Sequence, residues 1–392
     1  MQRGASVIKI IKNANIYSPE NVGAADVLVA GGKIAAVGKN IEASFEGANI
    51  EVIDASGKLM IPGLIDRHVH ITGGGGEAGF ASRTPEIRFS DISASGITTV
   101  VGLLGTDGSA RNVEQLYAKA CALEHEGIST YILTGSYGCP SITITGCVKK
   151  DMMFIDKVVG VKIAVSDHRS PHVTKEELTR LAADARVAGM LSGKRGFVHM
   201  HMGDGKAGLD MVSGIIRDGD VPIAQFSPTH VNRSSRLFES ALEFAKMGGV
   251  IDITSSMDGG GDTIRASEAA RLALESGVSP ENITMSSDSN GSIPEYDDKG
   301  RLKSIGVAGI DSMRTELCDM VKNHSIPVET ALKFVTSNPA RAIGAGHKKG
   351  KIANGYDADI VIVDEDFNVE MVMAKGEKLV ESGKCVKKGF FE

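Results

Sequence analysis

The sequence predicts an α/β protein built around a (β/α)₈ TIM-like barrel, and two observations support this prediction. Between residues 64 and 287, eight short apolar segments rich in β-branched residues alternate with segments of helical spacing. Strand-like segments also lie at both ends of the chain, before and after this alternating region. Neither end has enough strands to bury a core alone. We therefore expect a barrel with a small β-sandwich domain built from the N- and C-terminal segments.

The two terminal segments are predicted to pair with each other. Near the N-terminus, strands are expected over residues 7–11, 25–30 and 33–37, and the last two are joined by the hairpin signal Gly31-Gly32. Near the C-terminus, strands are expected over residues 359–363, 369–374 and 378–380. We assign residues 1–62 and 346–392 to the β-sandwich domain and residues 63–345 to the catalytic barrel.

The barrel elements follow in order along the chain. The eight strands are predicted over residues 64–68, 97–101, 130–133, 158–165, 197–201, 221–226, 250–254 and 283–287. Of the helices between them, the one over residues 175–192 opens with Thr174 and, three residues later, Glu177, which is the pattern of a capping box. Further helices over residues 310–323, 328–334 and 339–343 would cover the barrel.

The composition and charge of the chain limit the kinds of molecule that we expect it to bind. The net charge of -6, with no basic run longer than a pair such as Lys348-Lys349, provides no surface for nucleic acid or an anionic membrane. No stretch has eighteen consecutive apolar residues, and the first residues lack the apolar core of a signal peptide. We expect a cytoplasmic protein that acts on a small molecule and binds neither nucleic acid nor membrane.

Two histidines separated by one residue end the first barrel strand. Alternate side chains of a strand share a face, so His68 and His70 can present both imidazoles to one metal ion, while Arg67 between them should point away. The run Gly73-Gly74-Gly75-Gly76 leaves room for a ligand beside them. The alternative interpretation is an exposed strand with two incidental histidines.

Ionisable residues recur at the ends of other predicted strands, where barrel enzymes carry their chemistry. They are Lys162 in strand 4, His201 at the end of strand 5, His230 after strand 6 and Asp288 after strand 8. Imidazole nitrogen and carboxylate oxygen are ligands for zinc and similar divalent ions. Because these residues occur together with the two histidines of strand 1, the sequence predicts a metal site.

Two of the strand residues leave alternatives open. Lys162 lies in an apolar strand, where an unpaired ammonium group would be costly or would lose its proton. Its ammonium could reach a carboxylate, or the neutral amine could combine with carbon dioxide to form a carbamate that bridges two metal ions. His199 shares a strand face with His201 and could be the metal ligand in its place.

Several motifs together resemble the amidohydrolase superfamily in its binuclear form. They are Pro62-Gly-Leu-Ile-Asp-Arg-His-Val-His70, Lys162, His201, His230, Asp288 and Gly355-Tyr-Asp-Ala-Asp-Ile-Val-Ile-Val363. Within it, the chain resembles the isoaspartyl dipeptidase (β-aspartyl peptidase) family through Gly73-Gly-Gly-Gly-Glu-Ala-Gly79, Ser166-Asp-His-Arg169, Pro228-Thr-His-Val-Asn-Arg233 and Ser287-Asp-Ser-Asn-Gly-Ser292.

The resemblance implies a metal centre and a reaction. His68 and His70 would bind one divalent ion and His201 and His230 the other, with carbamylated (N6-carboxylated) Lys162 and a hydroxide bridging the two ions and Asp288 on the first; zinc is the expected metal. The implied reaction is hydrolysis of the isopeptide bond of β-aspartyl dipeptides, in which Asp288 accepts a proton and then delivers it to the leaving amine. The resemblance also implies a homo-oligomer, such as an octamer.

The loops at the same end of the barrel carry groups suited to a zwitterionic substrate. Glu77 suits an α-ammonium group, and Arg169 and Arg233 offer planar forks for carboxylates. Tyr137 follows strand 3 and could donate a hydrogen bond to the developing oxyanion. The other candidates for substrate binding are Ser292 and the backbone amides around Gly75 and Thr106.

Two alternatives stay open at this point. Another amidohydrolase that acts on a cyclic amide, such as a dihydroorotase or a hydantoinase, would share the metal ligands but would not need Glu77 for an ammonium group. A non-catalytic scaffold of the same fold is the other alternative, and the presence of all six expected ligands argues against it.

Overall fold

The computed structural model describes residues 8–42, 44, 49–296 and 301–392, so the predicted strand residue Val7 lies outside the described residues. The chain begins with five strands, β1 Ile8–Tyr17, β2 Asn21–Ala30, β3 Lys33–Gly38, β4 Ile50–Asp54 and β5 Leu59–Pro62. β2 and β3 are antiparallel neighbours joined at Gly31-Gly32, as the hairpin signal predicts. Both glycines have positive φ, which this tight turn requires.

Eight parallel strands form the barrel. They are β6 Leu64–Val69, β7 Ile97–Gly102, β8 Ser129–Gly135, β9 Val158–Val165, β10 Phe197–Met202, β11 Phe226–Thr229, β12 Ile251–Thr254 and β13 Ile283–Ser286. Each strand pairs with the next, and a bridge between Val69 and Ser289 connects the last strand back to the first. The predicted fold class is confirmed.

Seven helices connect the barrel strands. They are α1 Phe89–Ala94, α2 Val113–Glu126, α3 Val148–Phe154, α4 Lys175–Ser192, α5 Asp210–Asp218, α6 Ser235–Lys246 and α7 Ala266–Glu275. The capping box predicted for α4 forms, because the Thr174 hydroxyl accepts from the Glu177 amide and the Glu177 carboxylate accepts from the Thr174 amide. No helix in the described part of the chain is long and apolar enough to cross a bilayer.

The sixth barrel strand differs from the prediction. We expected it over residues 221–226, but Ile223–Gln225 form a short 3₁₀ helix and the strand begins at Phe226. Pro222, whose φ is -64°, precedes this helix and favours a turn there. The later start means that the strand ends at Thr229, directly before His230. The His230 side chain therefore still lies at the carboxyl end of the barrel.

After the barrel, the described residues add a hairpin, three helices and four strands. The hairpin strands β14 Ser292–Tyr296 and β15 Leu302–Val307 were not predicted; the helices are α8 Ser312–Lys322, α9 Val328–Val335 and α10 Ser337–Ala342. The last strands are β16 Ile360–Val363, β17 Val369–Ala374, β18 Glu377–Glu381 and β19 Lys384–Cys385. In the sheet order β19-β18-β17-β16-β5-β1-β2-β3, with β4 beside β1, the strands of the two chain ends form one sheet.

A buried ion-pair cluster joins this sheet to the barrel. The Lys349 side chain is 2% exposed, and its ammonium donates to Asp359 at 2.6 Å, to Asp357 at 2.8 Å and to the Ser129 hydroxyl at 2.6 Å. Ser129 is the first residue of β8, and Asp359 directly precedes β16. Burial opposes the charge on Lys349, but Asp359 and Asp357 together raise its pKa.

We expect Lys349→Met to destabilise the fold by about 3 kcal/mol or more, because Asp359 would lose its buried counter-charge and Asp357 would keep only the half-exposed Lys33. The matched control is Lys348→Met, since Lys348 forms no ion pair with a carboxylate among the described residues. Thermal unfolding of both variants beside the parent protein measures the difference. Equal midpoints for the two variants would show that the cluster does not stabilise the joint.

Candidate metal and active site

The structure brings three of the predicted metal ligands and Lys162 into direct contact. The Nε2 atom of His68 lies 3.1 Å from the Lys162 ammonium and 3.2 Å from Asp288 Oδ1, and Nε2 of His70 lies 3.2 Å from the same oxygen. The ligand atoms of His68, His70 and Asp288 all lie within 4.8 Å of one another. They can therefore hold one cation together.

The other two predicted histidines lie beside this group. The ring of His230 is 4.8 Å from the ring of His68 and 4.6 Å from the ring of His201, measured between centroids. Nδ1 of His230 lies 2.8 Å from the Thr254 hydroxyl, which leaves the buried Nε2 without a hydrogen-bond partner among the described residues. Such an orphaned imidazole nitrogen in a cluster of histidines is a candidate metal ligand.

His201 has a different environment in the structure. Its Nδ1 lies 2.6 Å from the Tyr137 hydroxyl, and its Nε2 lies 3.0 Å from Asp167 Oδ2. Both ring nitrogens therefore have partners within the protein. A cation held by His201 and His230 would replace one of these contacts at His201.

Backbone conformation and small residues give the cluster its space. Asp288 has a φ of 56°, in the left-handed region, where a non-glycine residue is uncommon and often functional. A β-carbon on Gly105 would lie 2.9 Å from Cε1 of His70, and one on Gly291 would lie 2.9 Å from Asp288 Oδ1. Only glycine at these two positions lets the imidazole and the carboxylate take up their places.

Burial favours the neutral form of three imidazoles of the cluster, those of His68, His201 and His230. Burial first, and the Lys162 ammonium second, lower the pKa of His68 to about 4, and burial likewise holds the pKa values of His201 and His230 well below their usual range. Burial opposes the charge of Asp288, but His230 and His68 hold its pKa well below the usual range. At neutral pH these three imidazoles are therefore neutral and Asp288 is a carboxylate, which is the protonation state that binds metal.

The positive charge of Lys162 has no carboxylate beside it among the described residues. It is fully buried, and no described carboxylate lies within 4 Å of its ammonium. Burial lowers its pKa to about 7, so a substantial share of the amine is neutral at neutral pH. Gly135, Lys162, His199 and Ser227 are in register across four adjacent strands, which places the lysine at the level of the barrel interior.

These observations fit a centre for divalent cations. A cation would use the orphaned His230 Nε2 and the converging His68, His70 and Asp288. The described residues also form a second possible group of His68, His199 and Asp252. That group is fully buried beneath the first and lies away from the open cleft.

The open cleft above the cluster is lined by the predicted substrate residues. Its walls include Gly75, Glu77, Thr106, Tyr137, Arg169, Arg233 and Ser292, together with His70, His201 and Asp288. All the residues proposed for substrate binding therefore face the same space as the candidate metal ligands. The ring of Tyr137 is only 7% exposed, and burial raises the pKa of its phenol, so it stays a hydrogen-bond donor.

Glu77 is held in the cleft with half of its carboxylate free. Its Oε1 accepts from Ser292 at 2.9 Å and from the Arg169 guanidinium at 3.3 Å. Its Oε2 is buried and has no hydrogen-bond partner among the described residues. A free, buried carboxylate oxygen in a binding cleft is suited to a cationic group of a ligand.

Asp167 is a residue of the site that the sequence analysis missed. It accepts two hydrogen bonds from the Arg169 guanidinium, at 3.0 and 2.9 Å, and a third from the Arg169 backbone amide at 2.7 Å, and it contacts His201. Burial opposes its charge, yet the hydrogen bonds from His201 and Arg169 hold its pKa below the usual range. The signal available in the sequence was its place in the loop that directly follows β9, two residues before Arg169.

A polar network beneath the cluster was also missed. Nε2 of His199 lies 3.0 Å from Nδ1 of His68, and its Nδ1 lies 3.3 Å from the Ser227 hydroxyl. The same hydroxyl accepts from Arg67 at 2.5 Å. Arg67 thus extends away from the metal ligands, but it stays inside the barrel and is 2% exposed.

Comparison with known proteins agrees with this site. The profile of the amidohydrolase family matches residues 59–379, and members of this family typically bind divalent metal ions. A dihydroorotase from Bacillus cytotoxicus is 23% identical over 427 aligned positions, which cover 96% of this chain and 94% of the relative.

Solved structures give a more specific likeness. A beta-aspartyl dipeptidase from Fervidobacterium islandicum AW-1, in complex with the β-Asp-Leu dipeptide, is 47% identical with a TM-score of 0.90, covering 98% of this chain and 100% of that one. A D-hydantoinase, at 20% identity and a TM-score of 0.70 over 97% of each chain, shares the fold. The resemblance that the motifs indicated is thereby confirmed, and the chain belongs to the amidohydrolase family.

Proposed function

We propose that this protein is a metal-dependent dipeptidase that hydrolyses the isopeptide bond of β-aspartyl dipeptides. The observation that carries the proposal is Glu77, whose free carboxylate oxygen shares a cleft with the candidate metal ligands and with Arg169 and Arg233. An ammonium group and two carboxylates are the charges of a β-aspartyl dipeptide. The relative from F. islandicum, which binds β-Asp-Leu, supports the same substrate class.

The metal centre proposed here is binuclear. His68, His70 and Asp288 would hold one divalent ion, His201 and His230 the other, and a carbamate on Lys162 would bridge them; zinc suits this donor set. Two such cations, when bound, would lower the pKa of a water molecule so that hydroxide is available as the nucleophile at neutral pH. They would also polarise the scissile carbonyl.

The chain's own residues move the proton and orient the substrate. Asp288 is ionised at neutral pH, so it can accept a proton from the attacking water and then deliver it to the leaving amine. The Tyr137 phenol, which lines the cleft, donates to the carbonyl oxygen as negative charge develops there. Glu77 binds the α-ammonium group, assisted by Ser292 and the backbone around Gly75 and Thr106, while Arg169 and Arg233 bind the carboxylates.

A second candidate function is hydrolysis of a cyclic amide. The dihydroorotase relative and the hydantoinase fold favour it, since both activities use the same barrel. A cyclic amide such as dihydroorotate has no ammonium group, however, and gives no role to the buried free oxygen of Glu77. The homo-oligomeric state and the cytoplasmic location stay predictions.

The direct test is to incubate the metal-loaded protein with β-Asp-Leu, α-Asp-Leu and dihydroorotate and to measure the products. We expect leucine to be released from the β-linked peptide only. Ring opening of dihydroorotate with no cleavage of β-Asp-Leu would favour the second candidate and would reject the dipeptidase.

We expect Glu77→Gln to lower kcat/KM for β-Asp-Leu by at least about 100-fold, because a neutral amide cannot balance the substrate ammonium in a buried site. Glu86→Gln is the matched control, since Glu86 pairs with Lys119 on the half-exposed surface of a nearby loop. Steady-state kinetics of both variants provide the comparison. Undiminished activity of Glu77→Gln would contradict the role given to Glu77.

Removal of the bridging amine should empty the metal site. Lys162→Ala is expected to lose bound metal, from about two ions per chain, and nearly all activity, with partial recovery when acetate or propionate is added. Lys157→Ala is the matched control, because Lys157 precedes the same strand but pairs with Glu124 outside the site. Elemental analysis and activity assays are made on both variants, and full metal content in Lys162→Ala would refute the bridging role.

His199 has a separate, positioning role. If His68 binds metal through Nε2, its Nδ1 carries the proton and donates to His199 Nε2, so His199 in turn must donate from Nδ1 to Ser227. A hydrogen bond of this kind fixes both the tautomer and the ring orientation of the ligand.

We expect His199→Ala to weaken metal binding by about 10- to 100-fold, and His199→Gln, which keeps an acceptor for His68, to weaken it less. Competition with a chelator measures this affinity without any substrate. His125→Ala, on the exposed face of α2, is the control. If the metal affinity of His199→Ala equals that of the control, His199 does not position His68.

A further inference from the structure

A small pocket lies at the amino-terminal ends of β10, β11 and β12, at the other end of the strands from the candidate active site. It is lined by two arginines, Arg67 and Arg195, and by apolar side chains that include Phe197, Phe226 and Val250. Its volume is about 20 Å³. A cavity of this size holds one particle about as large as a water molecule.

The pocket contains guanidinium groups that are incompletely satisfied. Arg67 is 2% exposed, and it donates only to two hydroxyl groups, Thr284 at 3.0 Å and Ser227 at 2.5 Å. Its Nε is buried and has no hydrogen-bond partner among the described residues. Arg195 is half-buried and donates to the carbonyl oxygen of Ala224 at 3.1 Å.

No carboxylate neutralises these two cations directly. Within the described residues, neither guanidinium forms an ion pair within 4 Å. The nearest acid beneath Arg67 is Asp252, whose oxygens accept from the hydroxyls of Thr229, Thr284 and Ser286. Two positive charges therefore line one pocket, with one carboxylate that reaches Arg67 only through Thr284. A buried charge without an adjacent counter-charge is strongly unfavourable.

We propose that this pocket binds one small monovalent anion of halide size, with chloride as the physiological form. Arg67 and Arg195, which both line the pocket, supply the positive charge and the N–H donors. The phenylalanine and valine side chains line other sides of the pocket, so a bound anion would exchange part of its hydration for contacts with apolar walls. The volume excludes phosphate esters and nucleotides.

The pocket is connected to the metal ligands by a short chain of contacts. Arg67 donates to Ser227, Ser227 contacts His199, and His199 contacts His68. An anion that fixes the Arg67 guanidinium therefore also fixes one end of this series of contacts, whose other end is the metal ligand His68. The anion site does not depend on the substrate proposed above.

The test compares thermal unfolding of the metal-loaded protein in sodium chloride and in sodium gluconate at equal ionic strength. We expect a saturable rise in the midpoint of at least about 1 °C with chloride, because a ligand that binds only the folded state stabilises it. Gluconate is too large for the pocket and should have no such effect. In Arg195→Gln the chloride-specific rise should be lost, whereas the control Arg88→Gln, an exposed residue that pairs with Asp91 and does not line the pocket, should keep it.

A crystal of the wild-type protein soaked in sodium bromide gives an independent result, should Arg195→Gln fail to fold. We expect an anomalous peak between Arg67 and Arg195. An ordered water molecule without anomalous signal would overturn the proposal. A bromide peak with equal midpoints in chloride and gluconate would identify an adventitious ion only, and it would overturn the proposal as well.

Discussion

The burial of Lys162 is the constraint on which the rest of the candidate site depends. Its ammonium is enclosed by the barrel, contacts His68 at 3.1 Å and has no carboxylate beside it in the described part of the chain. Such a charge would oppose folding, and it would also repel any cation bound by the neighbouring histidines. The proposed conversion of the neutral amine into an anionic carbamate would replace this repulsion by attraction, and bound cations would then balance the buried negative charge. The same step would turn a group of neutral imidazoles into a site with enough negative charge to hold two cations.

The barrel provides the geometry that makes this chemistry possible. Parallel strands end at one rim, so residues separated by more than 200 positions, such as His68 and Asp288, come within 3.2 Å of each other. Loops above the rim then bring charged residues over the cluster, and Glu77 is held there by Ser292 and Arg169. The terminal sheet lies apart from this chemistry and is joined to the barrel by Lys349.

The sequence predicts the regular elements of this fold better than its irregular ones. β9 and α4 have the bounds that periodicity and the capping box indicate, because an apolar run or a cap is a local property. The sixth strand was misplaced, since the apolar run around Pro222 fits a 3₁₀ turn as well as a strand. The hairpin of β14 and β15 was missed.

The candidate site shows the same contrast between residues that local patterns predict and residues that only tertiary contacts place. Strand-end histidines can be inferred from alternation, but Asp167 could not be assigned, because its contacts with Arg169 and His201 depend on a loop in which Ser166 has a φ of 55°. Arg67 was expected only to point away from the histidines. Its place inside the barrel follows from register shifts in β6, which interrupt simple alternation and are not visible in the sequence.

The most direct measurement of the central claim is carbon-13 NMR of metal-loaded protein prepared in ¹³C-bicarbonate. If Lys162 is the bridging ligand, the spectrum will contain a carbamate carbonyl signal that disappears when the metal is removed and carbon dioxide is purged. A fully active protein with two bound metal ions and no carbamate signal would contradict the account, and the buried ammonium would then need another explanation.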